Sequence, residues 1–306
     1  AIMAAITYTN TLLTGIGMLL MMFQNLTRGW VSWKRIREIL RCEPELRDGD
    51  FDGETTVRGK IEFRDVSFAF PGSDQLVLEH LDLTINPGET VAVMGATGSG
   101  KTAFVNLIPR FYDVTAGTVL VDNVDVREFR LHALRDRISV ALQKAELYSV
   151  SIGENIAWGD PNATREEIAQ AAGIAQASAF IAQTEQGLDT LVAQRGMSLS
   201  GGQKQRVSVA RAVLKPAEIL IFDDATSALD LKTEANLNAA LQAAKPGCTR
   251  IIVAQRVASV LQADRIVVLD HGRIAAVGSH DQLLRTSPVY QDIFNSQIGS
   301  EVAEVG

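Results

Sequence analysis

A glycine-rich octapeptide between an apolar run and a helical pattern restricts the fold of this chain more than any other feature. Residues 90–94 form a short apolar run typical of a buried strand, and residues 103–110 have helical periodicity. Glycines allow the tight backbone curl that the pattern GxxxxGK[ST] makes between a strand and a helix. The sequence therefore predicts an α/β fold built around this loop. The octapeptide reads Gly95-Ala96-Thr97-Gly98-Ser99-Gly100-Lys101-Thr102.

The octapeptide has the chemistry of a phosphate-binding loop. Its backbone N–H groups are expected to point at phosphate oxygens, and the start of the following helix adds a positive dipole end. Lys101 is expected to reach the β- and γ-phosphates, and the Thr102 hydroxyl to coordinate Mg²⁺. An incidental glycine-rich turn with a lysine is the alternative, and the flanking strand and helix patterns weigh against it.

A second apolar run supplies a candidate metal ligand. Residues 219–222 are all hydrophobic and are followed by Asp223 and Asp224. This is the pattern of a Walker B strand, in which Asp223 would hold Mg²⁺ directly or through water. An acidic pair that caps a strand end is the alternative for this segment alone. The two motifs together predict a P-loop NTPase that takes a nucleotide and Mg²⁺, but they do not indicate which kind.

A third motif indicates which kind of NTPase this is. It lies between the other two, and here the chain resembles the ATP-binding cassette (ABC) family, whose signature is LSGGQ. A glycine pair ahead of a helix can present a serine and backbone N–H groups to a phosphate. The pentapeptide alone could instead be a helix N-cap with a turn. The motif reads Leu199-Ser200-Gly201-Gly202-Gln203.

The resemblance covers residues 50–298 and implies further site residues. It implies an ATP-binding RecA-like core with an antiparallel β subdomain and an inserted helical subdomain at about residues 145–215. Phe70 matches the aromatic residue that stacks on adenine, and Gln143 matches the glutamine that senses Mg²⁺ and faces the membrane domain. Asp230 is the last residue of the segment Ser227–Asp230, which matches the family's D-loop motif. A core phenylalanine and a plain surface glutamine are the alternatives for the first two.

Two positions depart from the family pattern. Asp224 stands where the family has a glutamate general base, and Gln255 stands where it has a histidine near the γ-phosphate. Aspartate is one methylene shorter than glutamate, and glutamine can neither shuttle a proton nor become charged. Family members with both changes resemble one half of a heterodimeric multidrug-type exporter. The resemblance implies that this chain's own site would bind ATP but hydrolyse it poorly, while its intact signature would complete the partner's site. Two tolerated substitutions in a working site are the alternative.

The N-terminal segment differs from the rest of the chain. Residues 1–27 contain no charged side chain, and as a helix they would extend about 40 Å, enough to cross a hydrocarbon core of about 30 Å. Basic residues follow, with Trp30 and Trp33 among them, which places this end in the cytoplasm. Because threonines and amides interrupt the run, a buried or amphipathic helix of a soluble protein is the alternative.

These patterns predict three regions. Residues 1–49 would be the last transmembrane helix of a membrane domain with a linker, so the chain would be the C-terminal piece of a longer membrane polypeptide. Residues 50–298 would be the nucleotide-binding domain, and residues 299–306 a tail. We therefore expect the protein in the cell membrane, with this domain in the cytoplasm and a second half-transporter as its partner.

Composition narrows the function classes. Acidic residues (36) outnumber basic residues (29), which argues against a nucleic-acid partner. Cys42 and Cys248 lie too far apart in sequence for a metal-type spacing. An ATP-driven exporter half is favoured. A soluble cassette protein acting on nucleic acid or ribosomes fits the apolar segment poorly. A regulatory nucleotide-binding module without turnover stays open because of Asp224 and Gln255.

Overall fold

The computed structural model describes residues 2–53 and 55–304. It divides into two compact units, Ala1–Arg47 and Asp48–Gly306. Helix α1 (Ile2–Leu40) makes up most of the first unit, and it is the only described helix long and apolar enough to cross a membrane. Its most apolar window is unburied, unlike the core helix of a soluble protein. The predicted helix is confirmed, and its membrane crossing stays a prediction.

The threonines of α1 do not interrupt the helix. Thr7 Oγ1 donates to the Met3 carbonyl at 3.0 Å, and Thr14 Oγ1 donates to the Asn10 carbonyl at 2.8 Å. A hydroxyl bonded back to the preceding turn has its donor satisfied within the helix. These polar residues are therefore compatible with an apolar surrounding, where an unpaired polar group would be costly.

The second unit contains two sheets. The strands are β1 (Ile61–Ala69), β2 (Leu76–Ile85), β3 (Thr90–Met94), β4 (Ala116–Val121), β5 (Val124–Asp125), β6 (Ile138–Ala141), β7 (Ile219–Asp223), β8 (Thr249–Val253), β9 (Arg265–Asp270) and β10 (Arg273–Gly278). A four-stranded antiparallel sheet has the order β2-β1-β4-β5, and its pairs include Ile61 opposite Ile85.

The larger sheet positions the candidate site. Its order is β10-β9-β3-β8-β7-β6, and its strands are parallel except β10, which pairs antiparallel with β9. Strands β3, β7 and β8 are buried along their whole length, because both faces of this sheet are covered. Since β8 lies between β3 and β7, the residues that follow these three strands meet at one edge.

Nine α-helices belong to the described part of the second unit. They are α2 (Lys101–Leu107), α3 (Leu131–Asp136), α4 (Ile152–Ala157), α5 (Arg165–Ile174), α6 (Ser178–Ile181), α7 (Gly201–Leu214), α8 (Leu231–Ala244), α9 (His280–Thr286) and α10 (Pro288–Glu304). The helices α4 to α7 come between β6 and β7 in the chain, as an inserted helical region. The predicted α/β P-loop class with an antiparallel β part and a helical insertion is confirmed.

The predicted region boundaries stay predictions. The structural division after Arg47 lies close to the predicted end of the linker at residue 49. Helix α10 continues to Glu304, so most of the predicted tail is helical backbone. Val305 and Gly306, the end of that tail, lie outside the described residues.

Candidate nucleotide-binding site

The glycine-rich loop after β3 has a backbone that only glycine fits at two positions. Gly95 has φ 152° and Gly100 has φ 98°, in the region that L side chains rarely adopt. A Cβ atom at Gly95 would lie 2.2 Å from the Leu269 carbonyl oxygen, and one at Gly100 would lie 2.6 Å from Leu78 Cδ2. The loop therefore needs glycine for both its dihedral angles and its packing.

Helix α2 begins at this loop without a side-chain cap. Its N-cap residue is Gly100, and no side chain of the described residues accepts a hydrogen bond from its first turn. By contrast, Ser151, Thr164 and Ser200 cap α4, α5 and α7 with side-chain oxygens. The N–H groups of a first helical turn have no partner within the helix, and they are a ready site for an anion.

Lys101 lies across the loop that precedes it. Its Nζ donates to the carbonyls of Gly95 and Ala96, both at 2.8 Å. Burial lowers the pKa of this ammonium group, while the nearby carboxylates of Asp224 and Asp223 oppose that shift. A partly desolvated cation interacts more strongly with an anion than an exposed one does. Ser99, within the loop, is buried, and its hydroxyl has no hydrogen-bond partner within residues 2–53 and 55–304.

The end of β7 brings a carboxylate to the start of α2. Thr102 Oγ1 donates to Asp223 Oδ1 at 3.3 Å, although the two residues are far apart in sequence. Asp223 is 3 % exposed, and burial raises the pKa of its carboxyl group. A hydroxyl and a carboxylate side by side are oxygen ligands of the type that Mg²⁺ takes in nucleotide sites.

Asp224 is held by two neutral amides. Gln255 Nε2 donates to Asp224 Oδ2 at 2.9 Å, and Gln143 Nε2 donates to the same oxygen at 3.2 Å. Burial raises the pKa of Asp224, and the two amide donors act in the opposite direction. Its backbone has φ 51°, a left-handed conformation that aspartate tolerates better than most residues. Because residue 255 is a glutamine, the Asp224 carboxylate has no ionisable side chain there with which to exchange a proton.

Phe70 brings an aromatic ring to the lining of the same cleft. Its ring is 40 % exposed and packs edge-on against Tyr112, with centroids 5.4 Å apart at 85°, and against Phe68 at 5.0 Å. Edge contacts hold an aromatic ring in place and leave a face for stacking. The ring and the phosphate loop line one cleft of about 270 Å³. Its lining residues are Phe70, Val77, Thr97, Gly98, Gly100, Lys101, Thr102, Ala103, Gln143, Asp223, Asp224, Val253 and Gln255.

The signature residues and Asp230 do not line this cleft. Ser200 Oγ accepts from Gln203 N at 3.3 Å, and Gln203 Oε1 accepts from Ser200 N at 2.9 Å. Gly201 and Gly202 form the first turn of α7, and Leu199 packs against the core. Asp230 caps α8 by accepting from Thr233 N at 2.9 Å, which lowers the pKa of its carboxyl group.

Sequence reasoning missed some residues of the cleft. Val77, on β2, and Val253, at the end of β8, line it, and Tyr112 holds the ring of Phe70. None belongs to a contiguous motif, because each is brought in by sheet pairing or by packing. The only sequence signal of the two valines is membership of an apolar run, which core residues share.

Comparison with known proteins agrees with this geometry. Residues 78–227 match the model of the ABC transporter family. The chain is 39 % identical over 305 residues to the uncharacterized ABC transporter ATP-binding protein YfiB of Bacillus subtilis, covering 99 % of this chain and 52 % of that protein. It is 42 % identical over 277 residues to the ATP-dependent lipid A-core flippase of Aromatoleum aromaticum, covering 90 % of this chain and 46 % of the flippase.

A second Bacillus subtilis protein and a solved structure are also similar. The putative multidrug export ATP-binding/permease protein YgaD is 44 % identical over 241 residues, which cover 79 % of this chain and 42 % of that protein. A bacterial Atm1-family ABC exporter with ATP bound superposes with a TM-score of 0.85 at 35 % identity, covering 92 % of this chain and 49 % of the exporter chain. The chain spans about half the length of the curated relatives it matches. The family match and these similarities show that the chain contains an ABC transporter ATP-binding domain of the exporter type.

Proposed function

We propose that this chain binds and hydrolyses ATP as part of one half of a heterodimeric ABC exporter, and so drives export of a substrate across a membrane. One observation carries the proposal. Lys101 at the uncapped start of α2, the Asp223 carboxylate and the exposed ring of Phe70 all line one cleft. A nucleoside triphosphate has the matching parts, a polyanion and an aromatic base.

The residues present fit Mg²⁺. Thr102 Oγ1 and Asp223 Oδ1 are adjacent oxygens at the start of α2, where the phosphates would lie. We propose these two as its protein ligands, with Gln143 in reach through the same cleft. When bound, the ion would neutralise phosphate charge.

The position of the signature supports a head-to-tail pair. Ser200 and the glycines after it start α7 and do not line this chain's own cleft. The Ser200 oxygen accepts a hydrogen bond from Gln203 N, so its O–H stays able to donate to a phosphate oxygen. In the proposed assembly, the intact signature of this chain completes the partner's site, and the D-loop with Asp230 lies at the same interface.

The contacts of Asp224 support a weak site in this chain. Its carboxylate oxygen is held by Gln143 and Gln255, and Gln255 can neither carry a proton nor gain charge. A positioned acid–base group contributes about 10²–10⁴-fold in rate. We propose that the Walker site here binds ATP and turns it over slowly. The same pair keeps a second candidate open, a regulatory nucleotide-binding module without turnover.

The relatives support the membrane part of the proposal. One is an ATP-dependent lipid A-core flippase, one is a putative multidrug export protein, and the solved structure is an exporter. Helix α1 precedes the ATP-binding domain and has the length and hydropathy of a membrane span. We propose that α1 is the last span of this chain's membrane domain, with the ATP-binding domain in the cytoplasm.

A restored catalytic pair tests the weak-site proposal. Two copies of this chain can complete each other's sites, because each carries an intact signature. The experiment compares steady-state ATPase activity of the unchanged chain in detergent with that of the double variant Asp224→Glu, Gln255→His at saturating Mg-ATP. We expect the double variant to be at least about tenfold faster, at the low end of a general-base contribution.

The ATP affinity of both proteins, measured beside the rates, distinguishes the possible explanations of the result. Lys101→Ala added to either protein serves as the background control. Unequal rates at equal ATP affinity support the exporter half with a weak site. Absence of turnover in both proteins, with ATP still bound, supports the regulatory module. Fast turnover of the unchanged chain, together with no gain in the double variant, contradicts the weak site.

A further inference from the structure

The buried side chain of Glu234 joins the two chain segments that carry Asp224 and Gln255. Glu234 lies in the first turn of α8 and is 3 % exposed. Thr226 Oγ1 donates to its Oε1 at 2.5 Å. Ser259 Oγ and Arg256 Nη2 donate to its Oε2 at 2.7 and 3.0 Å.

The donors come from both sides of the Asp224–Gln255 contact. Thr226 lies two residues after Asp224, and Arg256 directly follows Gln255. Arg256 Nη2 also donates to the Thr226 carbonyl at 3.2 Å. The carboxylate and the guanidinium group therefore connect the segment that follows β7 to the segment that follows β8, next to the 2.9 Å hydrogen bond between Gln255 and Asp224.

A carboxylate is the group that suits this position. A buried charge is tolerated where hydrogen bonds and an opposite charge compensate it, and Glu234 has three donors that include Arg256. A glutamine there would turn an NH₂ group toward at least one of these donors. Glu234 itself does not line the cleft, so it can act on a nucleotide only through the residues that it holds.

We propose that Glu234 is a positioning residue that fixes Asp224 relative to Gln255. The catalytic meaning of that pair rests on the proposed function, whereas the fastening of the two segments does not. Residues 255–259 keep a second anchor, since Gln297 Nε2 donates to the Gln255 carbonyl at 2.7 Å and Gln297 Oε1 accepts from Val257 N at 2.8 Å. Loss of Glu234 should therefore loosen this region locally.

The test compares Glu234→Gln with Glu62→Gln in the whole chain. Glu62 is a matched control: it is 7 % exposed, accepts from Arg64, and lies in the antiparallel sheet away from the cleft. Thr226→Val, which removes one donor only, is the milder variant. Each protein is measured by amide hydrogen exchange, by affinity for an ATP analogue with Mg²⁺, and by single-turnover hydrolysis with protein in excess.

We expect Glu234→Gln to speed exchange in residues 225–229 and 255–259 at least fivefold, and to leave residues 95–102 unchanged. Affinity should stay within about twofold, and the single-turnover rate should fall at least fivefold, with a smaller fall for Thr226→Val. The proposal would be overturned if Glu234→Gln and the unchanged chain exchanged at the same rate in these two segments. Faster exchange throughout the variant, or a loss of ATP-analogue affinity as large as the loss of rate, would also overturn it. Hydrogen exchange and affinity test the positioning role of Glu234 even if the unchanged chain hydrolyses no ATP. Absence of hydrolysis would bear on the proposed function alone.

Discussion

Removal of the Lys101 ammonium group tests the phosphate site. The group is half-buried, lines the cleft, and is held by the carbonyls of Gly95 and Ala96. A hydrogen bond to a charged group is worth about 1.5–3 kcal/mol, and each 1.4 kcal/mol is tenfold in affinity. Lys101→Ala should therefore weaken ATP binding by roughly 10- to 100-fold. Burial lowers the pKa of this ammonium group, yet the carboxylates beside it favour the charged form that binds phosphate.

The assay is calorimetric titration with a non-hydrolysable ATP analogue and Mg²⁺. Lys232→Ala is the control, because Lys232 is an exposed lysine on α8 that does not line the cleft. Thermal unfolding shows whether the loop survives the loss of the two carbonyl contacts. Affinity within twofold of the unchanged chain, in a folded Lys101→Ala protein, would refute the assignment of the phosphates to this loop.

Further predictions concern the Mg²⁺ ligand and the stacking of adenine. Asp223→Asn should remove most of the Mg²⁺ dependence of ATP binding; unchanged dependence would exclude it as a ligand. Because burial raises the pKa of Asp223, protons should compete with Mg²⁺ at a higher pH than for an ordinary aspartate. The Mg²⁺-dependent affinity should thus be full above that raised pKa and decline as pH falls through it, in titrations across a pH series; a pH-independent affinity would contradict this. Phe70→Ala should weaken adenine nucleotide binding about fivefold or more, the low end of a stacking contribution. Phe111→Ala is its control, a comparably exposed ring outside the cleft, and equal effects would contradict stacking.

The contiguous parts of the site were predictable from sequence. Thr102 and Asp223 each sit in a local motif that a buried strand precedes, so strand order alone brings them to one edge. The fold class follows from the same motifs together with the family resemblance. Ser200 shows that two interpretations of one motif can both hold, because it caps α7 and still has a hydroxyl proton to donate.

Residues brought in by tertiary packing could not be predicted. Glu234 is one acid in a helix of mixed polarity, and only the packing of α8 shows that it is 3 % exposed with three donors. Val77 lines the cleft because its strand is paired there, and Tyr112 contacts the cleft residue Phe70 through ring packing. No local pattern distinguishes such residues from ordinary core positions.

The composite arrangement of the two ATP sites is tested most directly by an asymmetry of hydrolysis. In the proposed assembly, Ser200→Ala with Gly201→Asp would remove a phosphate contact from the partner's site and place a carboxylate there. Ser279→Ala, which removes the side-chain cap of α9, controls for the loss of a helix cap.

The measurement is steady-state ATPase activity of the reconstituted pair, variant by variant. We expect the signature variant to lose at least about tenfold, the effect of about 1.4 kcal/mol at the transition state, and Asp224→Asn to lose much less. If Asp224→Asn abolishes activity as completely as the signature variant does, Asp224 is the working base and the weak-site account is wrong.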